Sequence, residues 1–309
     1  MPALIESMYS VRETPWHGLG TIVQEAPTSA DALHLAGLDW HVEGKPVFTD
    51  SGIEIPGYKA NTRSSDNSIL GIVSDKYKVV QNDEAFAFTD ALLGEGVTYE
   101  TAGSLRNGKT IWLLANMPRI KILGDDIDPY LCFTNNHEGT GAVRVVMTPI
   151  RVVCNNSLNL ALSNASRSWS TKHMGSMSAK LKEAEETLGL ANMYMKALGE
   201  EVDKLAHKKL TNDQIKEIIE DLFPINDDDT DRVKKNMQEM RDGLYMCYLA
   251  PDIQQYLNTA YGLVNAASDF ATHRQPQRNT ESYKENNFNR VINGHAIIDQ
   301  VYSKVCAVA

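Results

Sequence analysis

The fold is decided by the stretch GTGAVRVVMTP, residues 139–149, and by its continuation IRVVCNNSLNLAL, residues 150–162. The first part is rich in β-branched residues and alternates in polarity, which predicts a β-strand. In such a strand Val143 and Val145 lie on one face of the sheet and Arg144 lies on the other. The stretch therefore predicts a sheet that buries one face and carries an arginine on the opposite face.

The second half of this stretch predicts a change from strand to helix. Thr148 and Pro149 interrupt the strand, and a short apolar run resumes at Arg151. Asn156 or Ser157 is a suitable N-cap for a helix that carries the leucines that follow. Because helix N-termini offer unpaired N–H groups and a positive dipole end, arginines beside this helix predict an anion-binding geometry. The alternative is a core strand and helix with two surface arginines.

Length and composition indicate a soluble globular protein. The chain has 309 residues, of which 42% are hydrophobic and 23% are charged, and this is typical of globular domains. No apolar run reaches the length of a membrane span, and the first residues lack the pattern of a signal peptide. The cysteines lie far apart without a paired motif, which argues for reduced thiols and against a zinc site. The sequence therefore predicts a cytoplasmic protein, in a bacterial host cell, with no membrane partner.

Charge is distributed unevenly along the chain. The net charge is −10, which taken alone argues against nucleic acid. Residues 105–182, however, carry 10 basic and 4 acidic side chains, whereas residues 1–104 carry 6 and 15 and residues 183–309 carry 14 and 21. A basic middle between acidic flanks predicts a groove that follows a phosphate backbone. The alternative is chance clustering of charge.

The basic middle supplies the candidate nucleic-acid-binding residues. One strand is predicted before Asn107 and Gly108 and one after them. This pair of residues strongly favours a hairpin turn. After residue 163 a polar, basic connector contains Trp169, which suits stacking on an unpaired base; the alternative is a linker whose tryptophan docks on the core. The predicted nucleic-acid-binding residues are Arg106, Lys109, Arg144, Arg151, Asn155, Asn156, Arg167, Trp169, Lys172, Lys180 and Lys182.

No catalytic residue, metal site or cofactor is predicted. His137 and Glu138 lie side by side, but a catalytic pair needs a third group or a second carboxylate at usable distance. Asp125, Asp126 and Asp128 are interpreted as a solvated turn. The nucleotide-binding, hydrolase and zinc-protease motifs are absent from the sequence. The chain is therefore predicted to act by binding and not as an enzyme.

The chain is divided into an arm, a core and a helical region. Residues 1–28 are predicted to form an irregular arm and residues 29–175 an α+β core, which is expected to be the single-stranded-DNA-binding domain. This core has an antiparallel sheet meander with packed helices, in a β-β-β-α-like arrangement. Residues 176–309 are predicted to be a helical region for packing or oligomerisation, because a heptad seam runs from Leu181 to Leu205. Further helices are predicted at Asp213–Phe223, Thr230–Leu249, Ile253–Thr272 and Asn289–Ala307.

Two resemblances follow from these motifs. The segments TPWHGLG (14–20), KYKVVQNDEAF (76–86) and RVVCNNSLNLAL (151–162) resemble the phage/plasmid-like protein family, a domain of unknown function. The strand, helix, meander and returning helix resemble the core of the single-strand annealing proteins, which include the eukaryotic Rad-type proteins and the phage Red-beta and RecT recombinases. That resemblance implies assembly into rings or helical filaments, with DNA in a basic groove. The groove would draw on Arg106, Lys109, Arg144, Arg151, Arg167 and Lys172.

The resulting expectation is a single-stranded-DNA-binding and strand-annealing protein for phage or plasmid recombination. Its expected partners are single-stranded DNA and further copies of itself, and an exonuclease encoded on a phage or plasmid is a further candidate. One alternative is a metal-dependent enzyme that processes nucleic acid, built around His137, Glu138 and the nearby aspartates. Another is a structural or anti-defence protein that binds a host protein through its acidic surface.

Overall fold

The computed structural model describes residues 5–11, 21–23, 27–93, 98–151, 156–157, 160, 162, 168–175, 177–273 and 294–308. The strands are β1 (Ile5–Val11), β2 (Thr21–Val23), β3 (Val42–Phe48), β4 (Glu54–Arg63), β5 (Ile69–Ser74), β6 (Thr98–Leu105), β7 (Thr110–Asn116), β8 (Ile120–Ile122), β9 (Asp125–Asn136), β10 (Val143–Arg151), β11 (Asn156–Ser157) and β12 (Ser168–Thr171). The α-helices are α1 (Ser29–Leu35), α2 (Asn82–Leu93), α3 (Met177–His207), α4 (Asn212–Leu222), α5 (Asp231–Tyr248), α6 (Ala260–His273) and α7 (Ala296–Ala307). The predicted α+β class is confirmed.

Two sheets make up the β part of the protein. The large sheet has the order β11-β10-β9-β7-β6-β1-β2, with β12 beside β10 and β8 beside β9. Apart from the parallel β1–β2 pair, its strands are antiparallel, as expected for strands joined by short turns. The small sheet has the order β3-β4-β5 and is antiparallel throughout. The predicted meander is therefore present, within a wider sheet.

Both faces of the large sheet are buried at its centre. Leu113, Phe133 and Val145 point into the main hydrophobic core, which also contains residues of the C-terminal helices. On the opposite face, Cys132 and Val146 are also buried. Strands covered on both sides need apolar residues at successive positions, which explains why the stretch around Val146 is so rich in valine.

Strand β10 corrects the predicted change from strand to helix. It continues through Thr148 to Arg151 without interruption, and Pro149 lies opposite Pro129 of β9. Neither proline has an N–H group to donate to the ladder, yet the pairing of β9 with β10 continues on both sides of this pair. Asn156 and Ser157 pair antiparallel with Arg151 and Ile150 as β11. The prediction of a helix N-terminus at Asn156 or Ser157, with its anion-binding geometry, is therefore wrong.

The N-terminal segment also differs from the prediction of an irregular arm. Residues of β1 pair antiparallel with β6, for example Met8 with Gly103, and β2 adds a parallel strand beside β1. These pairings are far apart in sequence and leave no local signal. The segment TPWHGLG (14–20) lies outside the described residues.

The predicted helical region is confirmed by the helices within residues 177–273 and 296–307. Leu198, Val202 and Leu205 of the predicted seam are buried in the core. The single helix predicted over Ile253–Thr272 is divided into a 3₁₀ helix (Pro251–Tyr256) and α6, with Asn258 at a φ of 58° between them. Among the described residues, no helix combines the length and the apolar character that a membrane span requires.

Candidate nucleic-acid interface

Two turns lie together at one end of the large sheet. The first is the hairpin turn between β6 and β7, where Arg106, Asn107 and Gly108 have φ angles of 53°, 58° and 82°. Glycine adopts this left-handed region without steric cost and asparagine adopts it readily, so the hairpin predicted from this pair is confirmed. The second turn connects β9 to β10. The two meet because Thr110, the first residue of β7, pairs with Asn136, the last residue of β9.

The strand register brings Arg144 to the same end of the sheet. Arg144 pairs with Thr134 of β9 on one side and with Ser170 of β12 on the other. Thr134 is two residues from Asn136, so Arg144 lies on the same face and about 7 Å along the strand direction. Arg106 reaches this face through its Nη2 atom, which donates a hydrogen bond of 2.9 Å to the Thr110 hydroxyl. Register alone therefore places the two arginines in neighbouring rows.

Lysines at both edges extend this group of positive charges. Lys109 follows the hairpin turn, and Lys172 is exposed directly after β12, two residues beyond Ser170. We refer to Arg106, Lys109, Arg144 and Lys172 as the cationic corner. In the described part of the chain, Arg106 and Lys109 form ion pairs with Glu138, at 2.7 and 3.9 Å. The corner therefore carries a net positive charge in a protein whose overall charge is −10.

A lysine that the sequence analysis missed lies beside the corner. The backbone N–H of Lys78 donates to the carbonyl of His173, the residue after Lys172, at 2.8 Å. The Lys78 side chain is exposed, because residues 76–78 alternate around the buried ring of Tyr77. That alternation is visible in the sequence, but the pairing with His173 is not. Lys180 lies close by, since its Nζ atom donates a hydrogen bond to the Lys172 carbonyl. Partial burial lowers the pKa of its ammonium group.

Other predicted residues lie away from the corner or outside the described residues. Arg151 is at the opposite end of β10, seven residues and about 23 Å from Arg144, and Asn156 pairs with it. The structure therefore does not bring Arg144 and Arg151 into one groove. Asn155 and Arg167 lie outside the described residues, as does the side chain of Lys182.

Trp169 is part of the core. Its side chain is only 8% exposed, it lies opposite Val145 in the sheet, and its ring stacks on Phe88 with centroids 6.0 Å apart. A base could stack on this ring only if the tryptophan left the core. Of the two interpretations of this residue, the one in which it docks on the core is correct.

Buried polar side chains hold the β9–β10 turn against the small sheet. The Asn61 amide of β4 donates to the His137 carbonyl at 2.8 Å, and the Tyr77 hydroxyl donates to the Asn136 carbonyl at 2.5 Å. The Asn135 amide donates to the Val80 carbonyl at 2.9 Å. Because such bonds replace water on buried carbonyl groups, this network fixes the position of the turn and of the cationic corner beside it.

His137 and Glu138 contact different partners. The His137 ring is fully buried, its Nε2 lies 3.1 Å from the Asn82 Oδ1, and burial lowers the pKa of the imidazole to about 3. Glu138 instead faces Arg106 at the surface. In the residues that the structure describes, no group of three or more histidine, cysteine, aspartate or glutamate side chains could hold a metal ion. The arrangement of these two residues therefore serves the turn and the corner.

The aspartates of β9 do not form the solvated turn that was predicted. Asp126 and Asp128 begin a long strand and pair with basic side chains of the β7–β8 segment. Arg119 Nε lies 2.5 Å from the Asp128 carboxylate, and Lys121 Nζ lies 3.0 Å from that of Asp126. These two cations each lie beside an aspartate of β9, whereas Arg106 and Lys109 of the cationic corner share the carboxylate of Glu138.

Gly71 permits the close contact between the small sheet and the β9–β10 turn. A Cβ atom at this position would lie 2.5 Å from the Glu138 Cα atom and 2.6 Å from its carbonyl oxygen. We expect Gly71→Ala to reduce the free energy of unfolding by about 2–4 kcal/mol, because the clash is with backbone atoms. A matched control is Gly199→Ala inside α3, where an added Cβ meets nothing within 4 Å. There alanine is expected to stabilise the helix by up to about 1 kcal/mol, and urea unfolding of both variants tests the contrast.

Comparison with known proteins identifies a family without an assigned activity. Residues 69–292 match a family described as a domain of unknown function, DUF932. No curated protein and no solved structure matches the chain.

Proposed function

We propose that this chain, which belongs to the DUF932 family, is a single-stranded-DNA-binding protein that promotes strand annealing. The observation that supports this function is the cationic corner, where Arg106, Lys109, Arg144 and Lys172 share one end of one sheet. A cluster of cations on a rigid sheet is suited to neutralising successive phosphates of a DNA strand. The antiparallel meander β6-β7-β9 corresponds to the strands of the annealing-protein resemblance, whereas β11 stands where its returning helix was expected to begin.

Annealing at this corner requires no catalytic residue. Arginine and lysine side chains neutralise the phosphates, and the hydroxyl groups of Thr134, Thr140 and Ser170 add hydrogen-bond donors beside them. Because Trp169 is buried, DNA binding here depends on the backbone and leaves the bases free to pair with a second strand. Association of further copies of the chain would extend binding along the strand.

The proposal is tested by binding of fluorescent oligonucleotides, single- and double-stranded, over a series of salt concentrations. The expected result is a preference for single strands whose affinity falls steeply as salt rises. Light scattering gives the size of the complex, and the rate at which two complementary strands pair measures annealing. Absence of binding at low salt would overturn the proposal.

We expect Arg144→Ala with Lys172→Ala to weaken single-strand binding about tenfold or more and to lower the salt slope by about one to two. Folding should be unaffected, because in the described part of the chain neither side chain forms an ion pair. The matched control is Arg119→Ala with Lys121→Ala. It removes the same amount of positive charge from the β7–β8 segment, where these two side chains pair with aspartates of β9. The control is expected to bind DNA like the wild type. Equal binding by the first double variant would show that DNA does not cross the corner.

A second candidate function is favoured by the small sheet. Its exposed surface carries large apolar side chains, each more than half exposed: Phe48, Ile53, Tyr58, Ile69 and Ile72. Exposed apolar patches of this kind mark protein contacts, which suits a structural or anti-defence protein that binds a host protein. Such association would be insensitive to salt and independent of DNA. It would be lost in a Tyr58→Ser, Ile72→Ser variant that still bound oligonucleotides.

A further inference from the structure

The carboxylate of Glu138 lies inside a ring of hydrogen-bond donors and positive charges. Arg106 Nη2 is 2.7 Å away and Lys109 Nζ is 3.9 Å away. The Thr140 hydroxyl donates to Oε1 at 2.8 Å, and the Asn136 amide lies 3.3 Å from the same oxygen. Guanidinium, ammonium, hydroxyl and amide groups around one anion also form the usual binding site for a phosphate oxygen.

From this geometry we infer that Glu138 is an internal competitor, which occupies the position that a DNA phosphate takes when the strand binds. The inference rests on the proposed function and adds a device that sets its affinity. The same donors can serve the carboxylate or the phosphate but not both. A binding strand must therefore displace Glu138 before Arg106 and Lys109 become available to it.

The charge state of Glu138 agrees with this role. Burial alone would raise the pKa of its carboxyl group. The hydrogen bonds from Thr140 and Asn136 and the charge of Arg106 outweigh burial and hold that pKa below its ordinary value. The carboxylate is therefore ionised at neutral pH and competes as an anion.

The carboxylate can leave without disturbing the turn. The turn is held through its backbone, since the Asn136 Oδ1 atom accepts hydrogen bonds from the N–H groups of Glu138 and Gly141, both at 3.2 Å. The backbone of Glu138 also packs against Gly71. The neighbouring Gly139 and Thr140 are exposed, so the side chain borders solvent into which it can rotate. Neutralising Glu138 should therefore change DNA affinity without changing the fold.

The test compares Glu138→Gln with Asp126→Asn. The second variant makes the same charge change at the start of β9, where Asp126 pairs with Lys121. At moderate salt, Glu138→Gln is expected to bind a fluorescent single strand about 5- to 20-fold more tightly than the wild type. Its salt slope should stay close to that of the wild type, because the same cations reach phosphates once the strand is bound. Asp126→Asn is expected to stay within about twofold of the wild type. Glu138→Asp, whose shorter side chain withdraws the carboxylate, should be intermediate and serves if the glutamine variant folds poorly.

The outcomes separate the inference from the function on which it rests. If the wild type binds single strands and Glu138→Gln binds equally or more weakly, the inference is overturned and the proposed function is retained. If neither protein binds at low salt, the proposed function is overturned and the inference falls with it. Binding by Glu138→Gln alone would support both, with the wild type held in its self-occupied state.

Discussion

Replacement of Asn82 by alanine is expected to reduce the free energy of unfolding by roughly 3–5 kcal/mol. The Asn82 amide donates to the carbonyls of Leu38 and Trp40 at 2.9 and 3.1 Å, and its Oδ1 atom lies 3.1 Å from His137 Nε2. Asn82 is 1% exposed, so its removal would leave three buried polar groups without a partner. Each unsatisfied group costs about 1–3 kcal/mol.

Chemical unfolding in urea measures this effect, and Asn236→Ala is a suitable control. Asn236 lies half-exposed in the middle of α5, where alanine is a good helix former, and a change within about 0.5 kcal/mol is expected. A loss below about 1 kcal/mol in the Asn82 variant would mean that water replaces its hydrogen bonds, and the network would then not fix the turn.

Acidification is expected to destabilise the protein between pH 6.5 and about 4. Burial lowers the pKa of His137 to about 3 and that of His173 to about 4, both below the ordinary value of 6.5. Below pH 6.5 the unfolded chain binds protons at both histidines, whereas the folded protein binds few until the pH approaches 4. The free energy of unfolding therefore falls with falling pH, by up to about 1.4 kcal/mol per pH unit for each histidine.

The structure gives a cause for this resistance to protonation. His137 Nε2 faces the amide oxygen of Asn82, and His173 Nδ1 faces the carbonyl of Lys78 at 3.0 Å. These nitrogens therefore carry the proton of the neutral rings. A second proton would be placed on His137 Nδ1 or His173 Nε2, which are buried and have no hydrogen-bond partner in the described part of the protein.

Unfolding curves at several pH values test the acid effect. A His137→Gln, His173→Gln variant should lose most of the pH dependence in this window, even though its stability at pH 8 is lower. His207→Gln is the control, because His207 is 76% exposed, and it should keep the wild-type slope. A double variant with an unchanged slope would assign the acid sensitivity to other groups.

Features set by local chemistry could be predicted from the sequence. The Asn107–Gly108 hairpin, the seam of α3 and the helix that begins after Thr230 follow from turn preference, heptad spacing and capping. Asn82 shows the limit of this approach. Asparagine at this position suits a helix N-terminus, and α2 does begin there. Its side chain instead satisfies carbonyls more than 40 residues away, which no local pattern reveals.

The errors have a common physical origin in pairing between distant segments. Asn156 and Ser157 suit a helix N-terminus by residue type, but their pairing with β10 places them in a strand. Trp169 was placed by its contact with Phe88, about 80 residues earlier in the chain. Arg106, Lys109, Arg144 and Lys172 were selected from the sequence only as basic residues of the middle segment. Their grouping at one corner depends on a register that only the folded sheet provides.

The pairing of β1 with β6 has a consequence for synthesis on the ribosome. Met8 can pair with Gly103 only after about 95 further residues have been synthesised. At about 5–20 residues per second, their synthesis takes roughly 5–20 s. During that interval β1 is an apolar segment with open hydrogen-bonding edges, the kind of sequence that nascent-chain chaperones bind. The first strand to be made therefore stays without its β6 partner until the chain has reached Leu105, and β7, β9, β10 and β12 of the large sheet are made later still.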